Sequence, residues 1–136
     1  EIIKKISEVK PPIKSYTLYK ELVESNEIKE NKKFVYENNN IKITLFVNDA
    51  KKASKKLPEK YFDAVFYDPF SPKAQPEMWD IDLFQEMFRV MKDSGILATY
   101  SCARIIRDNM AAADLVYDDG PIVGRRGPGT IATKWV

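Results

Sequence analysis

An aspartate, two aromatic residues and three prolines are concentrated in residues 68–79, which read DPFSPKAQPEMW. The apolar run before them, residues 62–67, has the composition of a buried strand, and Pro69 and Pro72 prevent that strand from continuing. Asp68 therefore falls at the carboxyl end of a strand, which is where open α/β sheets bind their ligands. The pattern alone favours two interpretations equally. Asp68 is either an active-site carboxylate followed by an aromatic loop, or the first residue of a turn in a surface loop that the prolines shape.

Polar residues also follow two earlier predicted strands. They are Tyr19 and Glu21 after residues 13–18, and Asp49, which Ala50 follows, after residues 41–47. An aspartate just past a strand can accept a hydrogen bond from the exocyclic amine of adenine, while the next backbone amide donates to a ring nitrogen. The alternative is that Asp49 caps the following helix, and without further context the sequence favours the cap.

Flat and positively charged side chains offer a second kind of site, for a nucleic acid. Phe70 and Trp79 have ring faces on which a base can stack, although core packing is the alternative for Trp79. Arg125 and Arg126 lie in the tract GRRGPG and can contact phosphates. That tract precedes a strand and does not open a helix, so it lacks the geometry of a glycine-rich phosphate loop, and a tight hairpin is the alternative.

Composition limits the classes of function. The 136-residue chain has no histidine and one cysteine, Cys102, which excludes histidine-based catalysis and an intramolecular disulfide and argues against a metal site. No apolar run is long enough to cross a bilayer and no signal peptide is visible, and a lone cysteine fits the reducing cytoplasm. The net charge of +2 does not by itself indicate a nucleic-acid binder.

Predicted strands alternate with predicted helices along the chain. We predict helices over residues 1–10, 19–28, 50–57, 81–91 and 103–113, and strands over residues 13–18, 41–47, 62–67, 96–101, 115–117 and 130–136. Asp80 is placed to cap the helix that starts at Ile81, and Gly95 to end it in a left-handed conformation. This order predicts one α/β domain over residues 1–136, with a mostly parallel sheet and a final antiparallel hairpin. Because Glu1 already lies inside a helical pattern, we expect residues to be missing upstream.

Several of these segments together resemble the MnmC-like methyltransferase family, whose members use S-adenosylmethionine to methylate the aminomethyl group of the tRNA wobble uridine. Residues 63–79, DAVFYDPFSPKAQPEMW, match the family pattern D-A-x-F-x-D-x-F-x-P-x-x-x-P-x-x-W. Further matches to family patterns lie at Gly95, Thr99, Tyr100, Gly124, Arg125 and Thr130. The resemblance covers nearly the whole chain.

The resemblance implies a class I, Rossmann-like methyltransferase sheet that lacks its first strand, in an N-terminally truncated chain. It implies Asp49 and Ala50 at the adenine, Asp68 at the active centre and Phe70 beside the target base. On the tRNA side it implies Lys73, Trp79, Arg125 and Arg126. Two features depart from the family: the glycine-rich loop is absent, and Tyr19 stands where a glutamate holds the ribose, with Glu21 as the candidate substitute.

Two other functions fit the same residues. An aminopropyltransferase similar to spermidine synthase also has acidic residues and a proline-containing loop at this strand, but it carries D-S-x-D-P where this chain has Phe70-Ser71-Pro72. A non-catalytic fragment or RNA-binding module is the second alternative, because the glycine-rich part of the cofactor site is missing. Binding of S-adenosylmethionine separates this alternative from an enzyme.

Overall fold

The structure, a computed structural model, describes residues 8, 10, 16–17, 33–122, 124 and 126–134. The chain divides into two compact units, Glu1–Asp49 and Ala50–Val136. Glu8 is helical as predicted, but Tyr16 and Thr17 are helical too, so the strand predicted over residues 13–18 is wrong at these two positions. The rest of that strand and the helix predicted over residues 19–28 lie outside the described residues.

The first unit contains a β-hairpin. Strand β1 (Lys33–Glu37) pairs antiparallel with β2 (Lys42–Phe46). Asn38 shapes the turn, because its Oδ1 atom accepts hydrogen bonds from the amides of Asn40 and Ile41 at 2.9 and 2.8 Å. The strand predicted over residues 41–47 is confirmed as β2, but within the described residues β2 pairs with β1 and is not part of a parallel sheet.

The second unit is a four-stranded sheet with helices between its strands. Its elements are α1 (Ala50–Ser54), β3 (Phe62–Tyr67), a 3-10 helix (Pro76–Trp79), α2 (Ile81–Val90), β4 (Met91–Thr99), α3 (Arg104–Ala112), β5 (Leu115–Asp119) and β6 (Thr130–Lys134). The strand order is β3-β4-β6-β5; β3 and β4 are parallel, whereas β6 is antiparallel to both of its neighbours. The predicted final hairpin is confirmed. The described sheet is mixed and not mostly parallel, because β6 reverses direction between β4 and β5.

Helices α2 and α3 pack with this sheet around one hydrophobic core. The core consists of Tyr67, Trp79, Leu83, Phe84, Met87, Met91, Leu97, Ile106, Met110, Ala113, Leu115 and Ala132. Helix α2 begins where the sequence predicts, because the Asp80 side chain accepts a hydrogen bond from the Leu83 amide at 3.1 Å. Burying a side chain such as Phe84 contributes about 1.5–3 kcal/mol. This core therefore holds β3, β4 and the loop between β3 and α2 in place.

The prediction that Gly95 ends α2 is wrong. The helix ends at Val90 and β4 begins at Met91, so Gly95 is a strand residue. A Cβ atom at position 95 would lie 2.9 Å from the carbonyl oxygen of Lys92 and 3.0 Å from that of Phe62. Glycine is needed because two backbones approach closely where the pairing of β3 with β4 shifts register.

Candidate active site

The carboxyl ends of β3 and β4 lie side by side, because the strands are parallel and Tyr67 pairs in register with Thr99. A cavity of about 440 Å³ opens at these ends. It is lined by Phe66, Tyr67, Asp68, Ala98, Thr99, Tyr100, Gly120, Pro121, Gly129, Thr130 and Ile131. Its volume and mostly apolar walls are typical of a small-molecule site.

Asp68 is the one acidic residue among the described residues that line this cavity. Its side chain is exposed, and within residues 33–122, 124 and 126–134 it has no hydrogen-bond or ion-pair partner. An ionised carboxylate has two oxygens that accept hydrogen bonds. The described part of the chain therefore leaves both oxygens of Asp68 available to a ligand.

Two buried aromatic side chains hold the loop after β3 from the core side. The Tyr67 hydroxyl donates to the Met78 carbonyl, and the Trp79 Nε1 atom donates to the Phe70 carbonyl at 2.8 Å. The rings of Tyr67 and Trp79 meet edge to face with centroids 5.5 Å apart. Burial, followed by the charge of Asp80, raises the pKa of Tyr67 well above its usual range, so the phenol remains a hydrogen-bond donor.

Trp79 is buried in the core, which does not fit the prediction that its ring contacts the substrate. Only 3% of its surface is exposed, so its ring cannot stack on a base. Asn109 in α3 supports it by donating from Nδ2 to the Trp79 carbonyl at 2.9 Å. Sequence reasoning missed Asn109; the available signal was a polar residue beside the apolar positions Ile106 and Met110 of a helix.

Phe70 and Lys73 extend from this restrained loop toward solvent. The Phe70 ring is 71% exposed, although its carbonyl is held by Trp79. The preceding carbonyl, that of Pro69, accepts a hydrogen bond from the Tyr100 hydroxyl at 3.3 Å. Lys73 is exposed as well. An exposed ring on a fixed backbone suits contact with a planar ligand.

The turn between β5 and β6 closes another side of the cavity. Gly129 approaches β4 so closely that a Cβ atom there would lie 2.7 Å from the Thr99 carbonyl oxygen. Arg107 fixes this turn to α3 by donating to Thr130 Oγ1 at 2.9 Å, to the Gly129 carbonyl at 3.2 Å and to Asp119 Oδ1 at 2.6 Å. Arg107 was not predicted, because its partners are distant in the sequence.

The remaining predicted site residues are described only in part. Arg126 is exposed on the turn between β5 and β6. Asp49 and Ala50 are exposed; the Asp49 amide donates to Asn48 Oδ1 at 2.8 Å, and Ala50 is the first residue of α1. Three predicted site residues lie outside the described residues: Tyr19, Glu21 and Arg125.

The described residues contain neither a cluster of metal ligands nor a membrane-spanning helix. No group of three or more Cys, Asp or Glu side chains among them could hold a metal ion. No helix in the same residues is long and apolar enough to cross a membrane.

Residues 14–135 match the model of a family described as S-adenosyl-L-methionine-dependent methyltransferases. An uncharacterized protein of Methanocaldococcus jannaschii is 34% identical over 126 residues, which cover 90% of this chain and 34% of that protein. The tRNA 5-methylaminomethyl-2-thiouridine biosynthesis bifunctional protein MnmC of Leptospira interrogans is 33% identical over 86 residues, which cover 63% of this chain and 13% of that protein. The chain thus spans 34% or less of the length of these two relatives.

The fold has a similar neighbour among solved structures. The crystal structure of MnmC2 from Aquifex aeolicus matches with a TM-score of 0.66 and 27% identity, covering 72% of this chain and 32% of that one. The similarity predicted from residues 63–79 and the later motifs is confirmed. The chain belongs to the S-adenosyl-L-methionine-dependent methyltransferase family, as an MnmC-like member.

Proposed function

We propose that this protein transfers a methyl group from S-adenosylmethionine to the aminomethyl nitrogen of a tRNA wobble uridine. The observation that carries the proposal is the exposed carboxylate of Asp68, in the wall of an apolar cavity and two residues before the exposed Phe70 ring. The family indicates the cofactor. The tRNA 5-methylaminomethyl-2-thiouridine biosynthesis for which the Leptospira relative is named indicates the substrate.

This chemistry requires little acid–base machinery from the chain. S-adenosylmethionine supplies, when bound, a methyl group that its sulfonium already activates. The chain must hold a neutral amine in line with that methyl group and exclude water. An Asp68 oxygen accepts a hydrogen bond from the amine N–H and so directs the nitrogen lone pair. The negative charge of Asp68 also stabilises the positive charge that develops on nitrogen.

The substrate RNA would contact the exposed side of the same loop. Phe70 would stack on the extruded base, because most of its ring is exposed. A wobble uridine lies in a single-stranded loop, so it can be extruded at a lower cost than a paired base. Lys73, Arg125 and Arg126 would contact phosphates. Trp79 would not contact the RNA but would hold Phe70 in position through the hydrogen bond to its carbonyl.

The cofactor would contact residues that the sequence predicts. Asp49 and Ala50 would meet the adenine, Tyr19 or Glu21 the ribose, and Asp68 the reacting end. The cavity at Asp68 fits the acceptor side, because its described lining offers one carboxylate, apolar walls and no positively charged residue. We also propose a Rossmann-like class I arrangement in one domain, supported by a single family model over residues 14–135, and a cytoplasmic location, where tRNA is modified.

Methyl transfer from isotopically labelled S-adenosylmethionine to tRNA that carries 5-aminomethyluridine tests the proposal. We expect label in the RNA with the wild-type protein. Asp68→Ala should abolish transfer while leaving the circular dichroism spectrum and unfolding temperature unchanged, because the carboxylate is exposed and has no described partner. Unchanged turnover of Asp68→Ala would contradict the role of this residue.

Two further measurements address the alternative functions. The first is an assay with decarboxylated S-adenosylmethionine and a polyamine. If product forms there and no methyl group is transferred to tRNA, the protein is an aminopropyltransferase and the proposal is wrong. Calorimetric titration with S-adenosylmethionine tests the non-catalytic alternative, and a well-folded protein that does not bind it would support an RNA-binding module.

A further inference from the structure

An arginine that the sequence did not single out lies at the start of α3, shortly after the carboxyl end of β4. Arg104 is the first residue of α3. Two residues earlier, the Cys102 Sγ atom lies 4.0 Å from the position that a Cβ atom of Gly127 would occupy. Arg126 precedes Gly127 directly. The two arginines therefore extend from two chain segments that touch.

Hydrogen bonds fix these two segments to one another. The Thr130 hydroxyl donates to the Ser101 carbonyl at 2.6 Å, and Arg107 donates to Thr130 Oγ1 at 2.9 Å. Arg107 also donates to the Gly129 carbonyl at 3.2 Å. Because Thr130 and Gly129 line the cavity, the backbone that carries both arginines is tied to the cavity wall.

The charge of Arg104 contributes little to the stability of its own helix. The side chain is 95% exposed, and its described ion pair with Asp108 spans 3.8 Å. A positive charge in the first turn opposes the helix dipole, and a basic residue four positions before an acidic one is the less favourable order. The first turn contains no acidic residue that would offset this effect. A role in binding accounts for Arg104 better than a role in folding.

We propose that Arg104 and Arg126 form an arginine pair that contacts neighbouring phosphates of the substrate RNA at the rim of the cavity. The inference rests on the proposed function and adds a partner contact to it. A guanidinium binds phosphate through paired N–H donors. Arg126 is exposed and has no ion pair within the part of the chain that the structure describes.

Binding of a dye-labelled RNA stem-loop with a uridine in its loop tests the pair, by fluorescence anisotropy over a range of salt concentrations. Arg104→Gln and Arg126→Gln should each weaken binding about three- to fivefold. Each should also reduce the slope of log affinity against log salt by about 0.7, because one phosphate contact to single-stranded RNA is lost. Arg104→Lys, which keeps the charge, should recover part of the affinity.

Lys56→Gln is the matched control. It removes an exposed lysine whose side chain has no described partner, next to Leu57, whose carbonyl accepts a hydrogen bond from Arg89 in the last turn of α2. This location is at the end of α2 remote from the cavity, so Lys56→Gln should change neither affinity nor slope. Arg104→Gln should unfold at the same temperature as the wild type or slightly higher, since it removes a charge that opposes the helix dipole.

Three outcomes would overturn the arginine pair. They are an unchanged affinity in Arg104→Gln, an equal loss in Lys56→Gln, or a loss of affinity that accompanies a lower unfolding temperature. Failure of the proposed function would look different: the wild-type protein would bind the RNA through these arginines but would transfer no methyl group to tRNA.

Discussion

The two ends of the β3–β4 pair use charged side chains in opposite ways. At the amino end, Lys92 Nζ lies 2.7 Å from an Asp63 oxygen, and Lys60 Nζ lies 3.0 Å from an Asp93 oxygen. Lys134 also lies 3.6 Å from Asp93, although its side chain is only 5% exposed, and it donates to a carbonyl at the start of β4 at 2.6 Å. These charges link strands and their flanking turns.

At the carboxyl end, the charged side chains do not take part in the contacts that hold the loop after β3. Asp68 and Lys73 have no ion-pair partner within the described residues. The loop that carries them is held by hydrogen bonds from Trp79 and Tyr100 to backbone carbonyls. The amino end of the strand pair thus has its charges in ion pairs, whereas the loop after β3 at the carboxyl end is fixed by neutral donors and leaves its charged groups accessible to a ligand.

The largest expected effect on stability lies at the amino end. Gly95→Ala places a Cβ atom 2.9 and 3.0 Å from two backbone carbonyl oxygens, so the backbones must move apart. We expect the free energy of unfolding to fall by about 1–3 kcal/mol in urea denaturation, with transfer per folded molecule unchanged. Gly127→Ala is the control, because its Cβ would meet only Cys102 Sγ, at 4.0 Å. An equal fall in the free energy of unfolding in Gly127→Ala would contradict this explanation, because it would not depend on the close backbone contacts of Gly95.

Phe70→Ala tests the carboxyl end. Because the ring is 71% exposed, its removal should change the free energy of unfolding by less than about 0.5 kcal/mol. Loss of base stacking should weaken tRNA binding by about 1–3 kcal/mol, measured by anisotropy. Tyr61→Ala removes an exposed aromatic residue near the amino end of the same strand and should leave tRNA binding intact. If Phe70→Ala and Tyr61→Ala weakened tRNA binding equally, the carboxyl end of β3 would have no special role in binding.

Trp79→Phe tests whether the hydrogen bond from buried Trp79 to the Phe70 carbonyl keeps the loop after β3 in position. The phenyl ring keeps most of the buried area but cannot donate to the Phe70 carbonyl, now held at 2.8 Å. We expect a loss of about 1 kcal/mol in the free energy of unfolding. Turnover per folded molecule should also fall, since Phe70 is less well held. A less stable variant with unchanged turnover would assign Trp79 to packing alone.

The smallest expected effect is a pH dependence at the amino end. The hydrogen bond from Lys60, together with the charges of Lys60 and Lys134, lowers the pKa of Asp93. A carboxyl with a lower pKa in the folded state stabilises the fold above its unfolded pKa, and this contribution is lost as the pH falls through the folded pKa. Asp93→Asn should therefore slightly flatten the decline of unfolding temperature below about pH 4. A change in neutral-pH turnover would contradict a purely structural role.

Local patterns predicted much of the second unit. Strand β3, helix α2 with its Asp80 cap, and the final hairpin are each encoded by residues close together in the sequence. The position of Asp68 at the carboxyl end of a strand follows from the two prolines after it. These features needed no knowledge of distant contacts.

The errors involve contacts between distant residues. Gly95 resembles a helix terminator, and only the approach of the Phe62 carbonyl shows why position 95 must be glycine. Trp79 lies in a loop by sequence, but its burial depends on contacts with Tyr67 and Tyr100. Asn109 is a polar residue of a helix whose role depends on the Trp79 carbonyl thirty positions earlier. No local pattern encodes such pairs.

The most direct test of the account compares two aspartates at opposite ends of β3. Asp63→Asn and Asp68→Asn make the same replacement near its amino end and just past its carboxyl end. Initial rates of methyl transfer to tRNA and unfolding temperatures are measured for both variants. We predict that Asp68→Asn loses at least about 100-fold in transfer at an unchanged unfolding temperature. Asp63→Asn should keep its transfer rate and lose up to about 1 kcal/mol of stability, because it breaks the exposed pair with Lys92. Equal transfer rates in the two variants, or a greater loss in Asp63→Asn, would contradict the account.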